Sequence, residues 1–106
     1  MQPDSKYVEL GDIRLHYLEW AGEGRTAVFV HGSGLCADTW GPIAEALAPR
    51  LRVLAFDLRG HGDSDKPDGR FSWPEVTSDL PGFIDALGLE DVLLVGHSRG
   101  GGVAAL

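Results

Sequence analysis

The sequence predicts an α/β fold, an antiparallel opening hairpin followed by parallel strands with flanking helices, and three observations predict it. Ala27-Val28-Phe29-Val30, Val53-Leu54-Ala55-Phe56 and Val92-Leu93-Leu94-Val95 are continuous apolar runs, and strands without polar alternation are covered on both faces, as in parallel sheets. Between these runs lie stretches with helical spacing of apolar residues. Ahead of them, Tyr7 to Leu10 and Ile13 to Trp20 alternate in character on either side of Gly11-Asp12, a two-residue loop with glycine first, as a tight hairpin requires.

The first helix is expected over about Thr39 to Ala48, with Trp40, Ile43, Ala44 and Leu47 on one face and Asp38 or Thr39 as its cap. The second opens with Ser72-Trp73-Pro74-Glu75, an N-cap serine with glutamate three residues on, and ends at Gly88. Pro81-Gly82 falls inside it, where proline removes a backbone hydrogen bond at a cost of about 3 kcal/mol, so a kink or an interruption is expected there. Strands alternating with helices imply right-handed crossovers. Leu58 to Phe71, rich in Gly, Asp, Lys and Pro, reads as a surface loop.

With 106 residues, 43% hydrophobic and 24% charged, the composition is that of one globular domain at most. The net charge of −7 argues against a nucleic-acid partner, because phosphate backbones are held by clustered Lys and Arg. No apolar run approaches the ~20 residues needed to cross a bilayer, and with the polar start Met1 to Lys6 this leads us to expect a cytoplasmic protein with no membrane partner. The single Cys36 excludes an internal disulfide and reads as a small buried hydrophobe.

Chemistry concentrates in two places. Gly96-x-Ser98-x-Gly100 follows the third apolar run and precedes Gly101-Gly102-Val103-Ala104-Ala105-Leu106, which can begin a helix. A strand, a tight turn and a helix in that order lift a serine hydroxyl above a parallel sheet, with Gly96 and Gly100 permitting the bend. The helix dipole then favours negative charge developing at Ser98 or on a substrate oxygen. His31-Gly32-Ser33-Gly34 directly follows the first apolar run. Its glycines let backbone amides face a cavity, and an acyl-transfer site needs two such donors for its oxyanion. The amides of Arg99 and Ser33 are the candidates, with Gly34 nearly as good as Ser33. A competing reading takes Gly32-x-Gly34-x-x-Ala37, with Asp57 twenty residues on, as a dinucleotide-binding fingerprint. It leaves the serine turn unexplained.

The ordered set His31-Gly32-Ser33-Gly34, Trp40, Phe56-Asp57-Leu58-Arg59-Gly60-His61-Gly62-Asp63-Ser64 and Gly96-His97-Ser98-Arg99-Gly100-Gly101 resembles the α/β-hydrolase superfamily from about Tyr7 onward. The resemblance implies an eight-stranded, mostly parallel sheet, Ser98 as nucleophile, a small-molecule ester or related carbonyl substrate, and no cofactor or metal. It favours the serine branches over the dehalogenase and epoxide-hydrolase branches, which carry aspartate at the nucleophile turn. In the superfamily an acid and a histidine follow the serine well downstream. Residues 1–106 are therefore expected to be the N-terminal part of such a domain, lacking the C-terminal strands, lid, acid and histidine. Such a piece is expected to be inactive and to self-associate through an exposed sheet edge. Of the internal histidines, His97 is expected to point away from the site, while His16 and His61 offer no convincing base. His31 is expected to hold the glycine loop by hydrogen bonds, and Asp57, Arg59 and Asp63 to stabilise the loop that carries them.

Overall fold

A computed structural model describes residues 3–11, 13–32, 35–48, 50–66 and 73–97, with 73–76 described by their backbone alone. The hairpin forms as its turn residues dictate. β1 (Asp4–Leu10) and β2 (Ile13–Trp20) pair antiparallel from Leu10↔Ile13 outward, and Gly11 takes the positive φ of 65° that the two-residue turn demands. β3 (Thr26–Val30), β4 (Arg52–Phe56) and β5 (Leu93–Gly96) are the three apolar runs. The five strands form one sheet in the order β1-β2-β4-β3-β5, antiparallel between β2 and β4 and parallel on both sides of β3.

Because side chains alternate across a strand, β3 and β4 supply both faces. Val28, Val30, Leu54 and Phe56 join Ile13, Leu15, Tyr17, Leu58, Leu80 and Phe83 in one buried cluster, while Ala27, Phe29, Val53 and Ala55 join Leu18, Trp20, Ala37 and Ala44 in the other. The first cluster is covered by α2 (Trp73–Ala86). Phe83 stacks on Phe56 at 4.7 Å between centroids and meets Tyr17 edge-on at 5.2 Å. The second is covered by a turn of 3₁₀ helix (Ala37–Trp40) running into α1 (Gly41–Leu47).

Several expectations are corrected. The first helix is split, because Pro42 at the start of α1 has a fixed φ suited to the first α turn. Neither Asp38 nor Thr39 caps it; Thr39 Oγ1 donates to the Cys36 carbonyl within the 3₁₀ turn. Ile43 is 50% exposed rather than on the buried face, and Cys36 is half-buried. α2 runs through Pro81 without interruption. Leu80 and Phe83 are buried on either side of the proline, and Asp79 is locked in an ion pair, so packing outweighs the one lost hydrogen bond. Gly82 admits Leu10, whose Cδ1 would lie 3.3 Å from a Cβ at that position. Among the described residues β5 is not covered on both faces: Leu93 and Leu94 are 39% and 38% exposed. The expected N-cap Ser72 lies outside the described residues, as does the start of the expected helix after Ser98.

Candidate active site

Parallel pairing of β3 with β5 puts Val30 opposite Gly96, and the His97 amide extends the ladder by donating to the Val30 carbonyl at 3.1 Å. The two motifs thus leave neighbouring strands at the same carboxyl end of the sheet, where ligands of open α/β sheets bind. They also touch. A Cβ on Gly32 would lie 2.8 Å from Nδ1 of His97, so a residue with a side chain there would have to push the imidazole aside. His97 does not turn away from the glycine loop as expected. With Gly32, Leu35, Thr39, Trp40 and Ile43 it lines a mostly apolar cavity of about 210 Å³. Trp40 forms its wall and packs edge-on against Phe29 at 4.8 Å. Ser33, Gly34, Ser98, Arg99 and Gly100 lie outside the described residues.

His31 is fully buried between Leu58 and Gly32. Its Nε2 accepts from the Leu58 amide at 2.9 Å, which leaves the proton on Nδ1 to be donated to the Gly32 carbonyl at 2.7 Å. Burial depresses its pKa below 6.5 and the nearby His61 depresses it further, while the Gly32 carbonyl and Asp57 oppose that without overcoming it. A neutral ring suits both bonds. His31 is therefore a strut rather than a base.

The segment from Asp57 to Lys66 is only in part the surface loop the composition suggested: Gly62, Asp63, Asp65 and Lys66 are exposed, but the rest is tied inward. Leu58, Arg59 and Ser64 are buried. Arg59 makes a two-pronged ion pair to Asp79 on α2, at 2.8 and 2.9 Å. Ser64 Oγ donates to the Asp57 carbonyl and accepts from the His16 amide. Asp57 anchors the whole: its carboxylate accepts from the Ala37 amide at 2.7 Å, from the Asp63 amide at 3.0 Å and from His16 Nδ1 at 2.7 Å. A carboxylate so saturated, 2% exposed, is not available to a ribose hydroxyl, and the dinucleotide reading loses its acidic residue. His16, Asp57 and Asp63 also bring possible metal-ligand atoms within 4.8 Å of one another. His16 Nδ1 is already engaged by the Asp57 carboxylate, so a metal bound at that atom would have to displace the proton that joins them.

With this geometry in place, comparison with known proteins assigns the class. Residues 27–106 match the model of the alpha/beta hydrolase family, and the chain belongs to that family. It is 38% identical over 94 residues to an N-formylmaleamate deformylase of Pseudomonas putida, covering 88% of this chain and 35% of that protein. It is 34% identical over 102 residues to a haloalkane dehalogenase of Mesorhizobium japonicum, covering 96% and 33%. Among solved structures, an epoxide hydrolase from Vigna radiata superposes with a TM-score of 0.87 at 33% identity, over 96% of this chain and 34% of that one. The chain thus spans about a third of the length of these relatives. Among the described residues no helix is long and apolar enough to cross a membrane.

Proposed function

We propose that this chain carries the nucleophile and the oxyanion-binding loop of a serine hydrolase acting on a small ester, amide or related carbonyl compound. Ser98 attacks the carbonyl carbon, the amides of Arg99 and of Ser33 or Gly34 hold the oxyanion, and water later releases the acyl group with a histidine further along the protein as base. The observation that carries this reading is the contact between Gly32 and His97, which brings the glycine loop against the residue immediately before Ser98. The apolar cavity beside that contact suits a hydrophobic part of the substrate. Some relatives are named as dehalogenase and epoxide hydrolase and one as deformylase; the resemblance set out above gives the first two branches aspartate where this chain has Ser98, so Ser98 favours acyl chemistry, which the name of the deformylase fits. A cytoplasmic setting is part of the same proposal.

The test is fluorophosphonate labelling of the protein at the full length of its relatives, followed by peptide mapping. Phosphonylation of Ser98, abolished by Ser98→Ala, is the expected result; an intact, unlabelled Ser98 in a folded protein that hydrolyses esters overturns the assignment. The 106-residue chain alone is expected to show no catalytic turnover of p-nitrophenyl acetate, because serine and oxyanion hole without the base retain only ~10³ to 10⁴-fold of rate gain over water.

A further inference from the structure

At the other edge of the sheet, Ser5 Oγ lies 2.6 Å from His16 Nε2, and His16 Nδ1 lies 2.7 Å from Asp57 Oδ2. We propose that Ser5, His16 and Asp57 form a second serine–histidine–carboxylate relay, which makes Ser5 a site of acylation by small activated esters.

The proton positions follow from the partners. Asp57 is held as an acceptor by the Ala37 and Asp63 amides, so Nδ1 of His16 donates to it. In the neutral form of the ring Nε2 carries the lone pair, and the Ser5 hydroxyl donates to it. That is the arrangement in which a histidine accepts a proton from an attacking serine. The ring is fixed: His16 is 5% exposed, Tyr7 packs against it at 5.1 Å, and Arg14 lies over the Tyr7 ring at 3.7 Å. Ser5 itself is exposed on β1, within reach of a reagent from solvent.

Base assistance acts here on an open strand, so the acyl donor must carry a good leaving group, as an aryl ester does. As the Ser5 Oγ–acyl carbon bond forms, the hydroxyl proton passes to His16 Nε2. The ester C–O bond breaks, aryloxide leaves with its electron pair, and the Nε2 proton is then released to it, restoring the neutral ring. The products are O-acyl-Ser5 and a phenol, one per chain.

The test uses the 106-residue chain carrying Ser98→Ala, so that its outcome is independent of the reading proposed for Ser98. It is incubated with p-nitrophenyl acetate, and the acetyl group is located by peptide fragmentation. The expected result is acetylation at Ser5 at least about tenfold faster than in the same chain unfolded in urea, with that gain lost in His16→Gln; general-base help typically contributes ~10²- to 10⁴-fold. Acetylation confined to Lys6 or the terminal amine, equal rates at Ser5 in folded and unfolded chains, or a gain that survives in folded His16→Gln would each overturn the proposal. Where circular dichroism shows the variant unfolded, the urea comparison alone decides.

Discussion

Gly62 has φ of +51°, and a Cβ there would collide with the Asp57 carboxylate, which three hydrogen bonds hold in place. Gly11 has a similar φ of +65° but open space around it. Comparing the two separates backbone strain from collision. Gly11→Ala should cost about 1 kcal/mol for the left-handed conformation alone. Gly62→Ala should cost at least about twice that, since the carboxylate cannot retreat without releasing Ala37, Asp63 or His16. Urea unfolding midpoints at constant slope would measure both. The same loop holds a pH-sensitive residue. His31 has a pKa depressed below 6.5 by burial, so the unfolded chain takes up that proton more readily than the folded one. The stability it contributes is complete above pH 6.5 and is lost on acidification toward the folded-state value. Thermal midpoints should therefore decline as pH drops from about 7 to about 5, and His31→Gln should flatten that decline while lowering the midpoint at neutral pH. For Glu19, burial alone would raise the pKa, but hydrogen bonds from Arg52 and Lys6 bring it below 4.5, so its contribution disappears only in more acidic solution.

At the scale of elements, α2 is fastened by its apolar stripe and by Asp79, whose pairing with Arg59 is 4% and 8% exposed on the two side chains. Removing one member of such a pair leaves a buried charge uncompensated. Asp79→Ala should destabilise the protein by about 3–5 kcal/mol, and the double variant Asp79→Leu/Arg59→Met should recover most of that loss in the same unfolding assay. The sequence made the strands legible, because uninterrupted apolar runs such as Val53 to Phe56 have few other uses, and it made the hairpin legible through Gly11-Asp12. It did not show that Asp57 to Lys66 is tied down, since those ties join its side chains to amides, or to the Asp79 side chain, 20 to 51 residues away. Nor did local propensity at Pro81 reveal the packing of Leu80 and Phe83 that carries α2 past it. The contact between Ser5 and His16 was within reach: a two-residue turn fixes Tyr7 opposite His16, which leaves Ser5 diagonal to it on the same face. The sequence shows that the glycine loop and His97 each follow an apolar run, but their meeting at one end of the sheet rests on the pairing of β3 with β5, and which way the His97 ring turns depends on the missing Cβ of Gly32, both tertiary facts.

For the whole molecule, the two edges of the sheet are unlike. β1 carries Asp4, Lys6 and Glu9, and Lys6 is raised above its ordinary pKa by its hydrogen bond to Glu19, so that edge is charged and discourages strand addition. β5 reads Leu93-Leu94-Val95-Gly96 without a charge, and among the described residues it pairs only with β3. Its free edge and its exposed leucines are what another strand would seek, since unpaired amides and carbonyls gain ladder bonds while apolar area leaves water. The 106-residue chain should therefore self-associate as concentration rises, through β5 rather than β1. Light scattering after size exclusion should show a mass that grows with concentration for the unaltered chain and for Tyr7→Lys. Leu94→Lys, which places a charge on the free strand, should hold the chain at 11.4 kDa. A monomer with a sharp thermal transition from the unaltered chain, at any concentration, would mean that the β5 edge is already covered in solution.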